Sequence, residues 1–347
     1  MSTLRTNRRK ARETKLRIGL IADTHEAGDP LTLIRLLGRQ RCDLNVHLGD
    51  IGGSEYTSKL VHEFKENLGN LDHLSPEDQE SYAELRKKGT PAIWAYIEMR
   101  TRHDPNSHER RALETTQSYA SVIEAMSRLR RVFFVSGNID RALSKMDGVR
   151  TILEENGVDL IAEPKLIELG DQAIALWPSM KPVTQKLARR LDTIVADFVN
   201  RLEDKRRLVV LAHEQLFKGP VPETYRENVK RAGMKALTVP FYEPNPTWVH
   251  LMSLFRLLPA HVDLVFVHGH VHDPCDVIMA GVPYLKGTPE LGLAYRLYGF
   301  GSPPSTDNCD RRGRRTVRIF CVPADEAMII VLDGRGVRME RLGGSQS

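Results

Sequence analysis

The chain has 347 residues, 41% apolar and 27% charged, with a formal net charge of +5. That length allows a substantial buried core in one large domain or two, and the composition is that of a soluble globular protein rather than a disordered or fibrous one. No apolar run reaches the roughly 18 residues of a membrane span, and the basic amino terminus shows no secretory core, so no membrane is expected and the expected compartment is the cytoplasm.

The positive charge is concentrated. Through residue 17 there are seven basic residues against Glu13 alone, which is net +6 and leaves the remainder near neutral. This reads as a basic flexible arm over 1–15, able to contact nucleic acid or another anionic surface. The main domain is expected over 16–342, with a flexible tail at 343–347. Cys42, Cys275, Cys309 and Cys321 have neither CxxC spacing nor a disulfide pattern, which suits a reducing environment.

Apolar, branched runs at 16–22, 44–48, 132–136, 208–212 and 264–268 predict buried strands. Each ends in a polar signature: Asp23-Thr-His25, Gly49-Asp50, Gly137-Asn138, His213 and Gly269-His270-Val-His272. In α/β sheets chemistry gathers beyond the carboxyl ends of strands. Asp23 and His25, like His270 and His272, are two apart, so each pair shares one face if the backbone is extended. Two carboxylates, an amide oxygen and four imidazoles form a donor set suited to manganese, iron, zinc or nickel rather than magnesium or calcium. Seven ligands exceed one catalytic ion; two ions roughly 3.5–4 Å apart with a shared carboxylate would use them all.

Between the second and third of these strands, 52–130 supplies nearly eighty residues where a crossover needs a dozen or more. The capping pairs Ser75-Pro76 and Thr90-Pro91, and the break at Asp104-Pro105, predict helices at about 55–70, 76–88, 91–102 and 108–129. This helical insertion, 54–130, starts at the rim of the site and is read as a substrate cap or as a packing or dimer element. Downstream, 166–177 predicts a hairpin turning at Gly170-Asp171, 183–202 a helix, 219–248 a loop with a short helix, and 250–258 a helix. Runs at 276–285, 316–322 and 328–332 predict strands completing a second sheet. Glu214 is read as a solvated or supporting carboxylate, since it follows His213 on a strand. Arginines 311, 312, 314, 315 and 318 offer an anion contact or pair with nearby acids.

The ordered signatures resemble the calcineurin-like metallophosphoesterase superfamily, whose pattern runs DxH, GD, GN, H and GHxH, over roughly 16–290. The resemblance implies an α/β fold, a two-sheet αββα sandwich with two divalent metal ions at one end, most simply manganese, with iron, zinc and nickel as alternatives. It implies one metal on Asp23, His25, Asp50 and His272 and a second on Asp50, Asn138, His213 and His270, with Asp50 bridging and Asp50, Asn138 and His213 at the reacting centre. Many members carry GNHD, whose His is thought to protonate the leaving oxygen. Here the run is Gly137-Asn138-Ile139-Asp140, closer to the GN-C-D branch described as phosphodiesterases of loose specificity. Asp140, His268 and Arg141 are nearby substitutes for the acid; the competing readings make Asp140 an acceptor for a metal-bound imidazole or Arg141, and turn His268 to the opposite face.

The resulting expectation is a binuclear-metal phosphoester hydrolase, first a phosphodiesterase acting on nucleotides or other small diesters. The alternatives are a phosphomonoesterase, a nuclease using the basic arm, and a non-catalytic interaction module. All seven positions hold ligand-competent residue types, which favours the enzyme.

Overall fold

The computed structural model describes residues 15–25, 29–57, 59–60, 63, 75–77, 79–80, 92–102, 104, 106–180, 185–214, 236–239, 250–251, 254–255, 257–259, 261–269, 276–280, 295–298, 316–324, 326–333 and 336–342. The arm at 1–14, the arginines 311–315, the tail 343–347, Cys275, Cys309, His270 and His272 lie outside them.

The branched runs are strands, and most are buried on both faces, as expected where helices cover a parallel sheet. Strands β1 (Leu16–Ile21), β2 (Leu44–His47), β3 (Val132–Val135) and β4 (Leu160–Ile161) run parallel in one sheet. Strand β13 (Ala327–Asp333) extends it antiparallel to β1, with Leu16 opposite Leu332, and β14 (Gly336–Leu342) pairs antiparallel with β13. The run at 328–332, expected in the second sheet, thus belongs to the first: the short connection after 321 crosses from one sheet to the other, and β13 finds the open edge of β1.

The second sheet opens with the expected hairpin, β5 (Lys165–Leu169) and β6 (Gln172–Trp177), whose turn places Gly170 at φ 64°. It continues in parallel through β7 (Arg207–Ala212), β9 (Asp263–His268) and β12 (Thr316–Cys321). Antiparallel strands β10 (Asp276–Ala280), β11 (Tyr295–Tyr298) and β8 (Ala236–Val239) complete it. Strand β8 corrects the loop-and-helix expectation for 219–248: Ala-Leu-Thr-Val is a short branched run, and the backbone of β11 supplies its partner.

Side chains alternate between layers. Ile18, Leu20, Val46, Leu176, Val209, Val267 and Ile330 meet in the core between the sheets. The outer face of the first sheet is covered by α1 (Pro30–Arg39), α3 (Ser107–Ser127) and α5 (Asp147–Glu155), through Leu37, Val122, Ile123, Met126 and Ile152. The outer face of the second is covered by α6 (Gln185–Arg201) and the 250–258 region, through Leu191, Val195, Phe198 and Leu254. The result is a four-layer α/β sandwich.

Within the long β2–β3 connection, helix is described at 55–57, 59–60 and 63, at 76–77 and 79–80, in α2 (Ala92–Thr101), and in α3. Helix α3 packs on α1 and α5 as the crossover layer itself. No helix among the described residues is long and apolar enough to cross a membrane.

Candidate metal centre

The site lies where the carboxyl ends of both sheets meet. Asp23 follows β1, Asp50 follows β2 and Asn138 follows β3 in the first sheet; His213 follows β7 in the second. The sheets are tied together there by Ser179 N–H donating to Ser136 O at 2.9 Å, while within the second sheet Gly269 N–H donates to His213 O at 3.1 Å.

The glycines of the signatures leave no room for a side chain. A Cβ on Gly49, which sits at φ 105°, would stand 2.6 Å from the Gly137 backbone and 2.9 Å from His213 Nδ1. One on Gly269 would stand 2.6 Å from Asp23 Oδ2. Glycine is thus what lets the second sheet's loop reach the carboxylates of the first.

Asp23 and Asp50 both adopt left-handed backbone, φ 52° and 54°. Such a conformation costs a residue other than glycine about 1–3 kcal/mol and must be imposed by its surroundings. Asp23 N–H donates to Gly49 O at 3.0 Å and His25 N–H to Asp50 O at 3.4 Å, so the Asp-Thr-His segment curls over the Gly-Asp turn. This corrects the extended backbone expected for Asp23 and His25; the turn, not strand alternation, brings them together. Asp23, His25 and Asp50 offer ligand atoms all within 4.8 Å of one another, a group able to hold a metal ion.

A second group shares Asp50. His213 Nε2 lies 2.7 Å from Asn138 Oδ1 and 3.3 Å from Asp50 Oδ2. Asp50 Oδ1 accepts from Ile139 N–H at 2.9 Å. Asp23, Asp50 and His213 are buried, whereas His25 is half-buried and Asn138 exposed, which leaves the group an open side.

Backbone carbonyls set the imidazole tautomers. A carbonyl only accepts, so His213 Nδ1–H donates to Leu48 O at 3.0 Å and His25 Nδ1–H to Asp50 O at 3.3 Å. With Nδ1 so engaged, Nε2 is the nitrogen each ring leaves for a metal ion, the arrangement that carbonyl partners impose on metal-binding histidines. Burial alone would lower the His213 pKa, but the carboxylates of Asp50, Asp23 and Asp140 outweigh it and hold it at about 9. The field that favours a proton at Nε2 equally favours a divalent cation there. Burial opposes the Asp50 charge, and His213 with His25 more than offsets this, so Asp50 stays below the usual carboxylate range.

His47 is a buried histidine that the motif pattern does not assign. Its Nδ1 accepts Gly49 N–H at 3.1 Å, so its Nε2–H donates to Thr24 Oγ1 at 2.8 Å, and Thr24 in turn donates to Ile51 O. Burial pushes its pKa to about 3, and it stays neutral. The signal in sequence is a lone histidine inside the apolar run Leu-Asn-Val-His-Leu.

Asp140, considered as an acid or as an acceptor for an imidazole or Arg141, instead accepts from the backbone N–H groups of Asp50 and Gly137, both at 2.7 Å, of Ile51 at 3.1 Å, and from the Tyr119 hydroxyl. Burial and the nearby Asp50 charge raise its pKa, but four donors occupy its two oxygens, so its place is that of an acceptor bracing the turns rather than an acid facing a leaving group. Burial drives the Tyr119 pKa well above its ordinary value, with Asp140 adding to the effect, so the hydroxyl remains a donor. His268 stands on the helix-facing side of β9, its ring 5.8 Å from Phe266 and its Nδ1 2.8 Å from Gly269 O. Glu214 is buried rather than solvated, and Ser179 donates to it.

No protein-family model matches the chain, and no curated protein matches it. Solved structures are similar to it at low identity. A purple acid phosphatase from yellow lupin (Lupinus luteus) seeds shares 12% identity over 96% of this chain and 52% of that one, with a TM-score of 0.45; this chain therefore spans about half its length. A structure described as PhoD shares 10% identity over 96% of this chain and 73% of that one, TM-score 0.40. A predicted phosphoesterase from Streptococcus pneumoniae TIGR4 shares 10% identity over 95% and 90%, TM-score 0.28.

Proposed function

We propose that the chain is a binuclear metal-dependent phosphoester hydrolase whose first substrates are phosphodiesters. The observation behind this reading is that one carboxylate, Asp50, belongs to two ligand groups, Asp23 with His25 on one side and Asn138 with His213 on the other.

The donor set fits a pair of divalent ions: carboxylates, an amide oxygen and two imidazoles with carbonyl-fixed tautomers suit manganese first, then iron, zinc or nickel. Asp23, His25 and Asp50 would hold one ion and Asp50, Asn138 and His213 the other, with His272 and His270, outside the described residues, completing each set. When bound, such a pair supplies Lewis acidity to phosphoryl oxygens and lowers the pKa of water. The chain's part is orientation. The left-handed turns at Asp23 and Asp50 aim both carboxylates to one point, and Leu48 O and Asp50 O fix the two rings. Ile139 holds Asp50 Oδ1 through its N–H, while its side chain moves no proton. Leaving groups that depart without protonation are therefore favoured.

The test is hydrolysis of bis(nitrophenyl) phosphate beside the corresponding monoester, by chelator-stripped protein reloaded separately with manganese, iron, zinc, nickel and magnesium. Restored diester turnover with a transition ion supports the reading. Preferential monoester turnover favours the phosphatase alternative, and protein that binds metal without turning over either ester favours an interaction role.

A further inference from the structure

Helix α3 reaches the turn that carries Asp50 through the Tyr119 hydroxyl. Tyr119 is fully buried in the layer that covers the first sheet and donates to Asp140 Oδ1. Asp140 Oδ2 accepts the N–H groups of both Asp50 and Gly137, at 2.7 Å each, and Oδ1 accepts that of Ile51 at 3.1 Å. The two amides that flank the Asp50 side chain are thus held by one carboxylate, and the turn after β2 is tied to the turn after β3. Asp50 needs such restraint, because its backbone sits at φ 54°. The Tyr119 ring also closes on the chain just past Asp50: a Cβ on Gly52 would stand 2.5 Å from its Cδ2.

We propose that Tyr119 and Asp140 are positioning residues that set the affinity of the centre for its ions, by orienting the shared Asp50 carboxylate from behind. The proposal rests on the two-metal reading above. Neither side chain belongs to either ligand group. Tyr119 orients Asp140, Asp140 fixes the Asp50 backbone, and the backbone aims the carboxylate. Losing an outer partner of this kind typically lowers metal affinity about 10- to 100-fold.

Tyr119→Phe is the informative variant, since it keeps the ring against Gly52 and removes only the donor. Val122→Ala, in the same helix and the same core cluster, loosens packing without touching the hydrogen bonds and serves as the control. Manganese binding to stripped full-length protein is measured by titration calorimetry, together with the melting temperature of each metal-free form. The expected result is a Tyr119→Phe protein that folds and binds manganese about 10- to 100-fold more weakly, with diester turnover recovering at high manganese, while Val122→Ala melts earlier and binds manganese as the wild type does. Unchanged affinity in folded Tyr119→Phe overturns the proposal, as does an equal loss in Val122→Ala. Wild-type protein that binds no manganese overturns the two-metal reading itself, a result distinct from either.

Discussion

The Asn138 side-chain oxygen lies 2.7 Å from His213 Nε2, although the two residues leave different sheets. The contact forms because Gly49 and Gly137 let their turns touch and because Leu48 O holds the His213 ring by its other nitrogen. The candidate second ligand group is therefore a product of how the sandwich closes, and changes at its two ends should be separable.

His213→Ala is predicted to lose one of two bound ions, since Asp23 and His25 still serve the other with Asp50. Asp50→Asn is predicted to lose both, along with all measurable diester turnover. Metal content of the purified variants by elemental analysis checks both expectations, and an Asp50→Asn protein with full metal content contradicts the shared-carboxylate account.

Ile139→His restores an imidazole where the resembled family often carries one, and leaves intact the backbone N–H that holds Asp50 Oδ1. A positioned general acid contributes about 10²- to 10⁴-fold. Turnover of diesters with basic alkoxide leaving groups should rise at least about 10-fold relative to nitrophenyl esters, measured as a ratio of kcat/KM values.

Acid sensitivity should trace in part to His47. Its folded pKa, about 3, lies below the ordinary 6.5, so between these values the unfolded chain binds the extra proton. Its contribution is thus fully present above pH 6.5 and is lost as pH falls toward 3, at up to about 1.4 kcal/mol per pH unit. Denaturant unfolding of stripped protein from pH 7 to 4 should show a shallower loss in His47→Gln, which carries no such proton; equal slopes would exclude the contribution.

Gly269→Ala places a methyl 2.6 Å from Asp23 Oδ2 and 2.7 Å from Ala22 Cβ. Overpacking of this kind typically costs about 1–3 kcal/mol. The variant should unfold at lower denaturant concentration and retain less metal, read from one denaturation series run with and without manganese.

The strand-end signatures could be read because each couples an apolar run to a chemically unusual turn. The five buried strands that precede them, the Gly170 hairpin and the helix over 185–201 follow from period and punctuation alone. What escaped reading depends on distant partners. Helix α1 opens with a clear signature, Asp29 capping Thr32 N–H at 2.9 Å with Pro30 next, yet it falls between two strong motifs and draws no separate signal. Strand β13 joins the first sheet because of where β1 has a free edge, which no local pattern encodes. Tyr119 looks like any aromatic on a helix face; only the fold brings it to Asp140. The left-handed turns at Asp23 and Asp50 are likewise invisible in composition, since extended and curled segments both place residues two apart near one another.

The shared carboxylate is tested most directly by the magnetic resonance of stripped protein loaded with manganese. Two ions sharing Asp50 lie close enough to couple, so the account predicts two manganese per chain and the spectrum of an exchange-coupled pair, collapsing to background in Asp50→Asn. One manganese per chain, or two ions with the six-line spectrum of isolated centres, would contradict it.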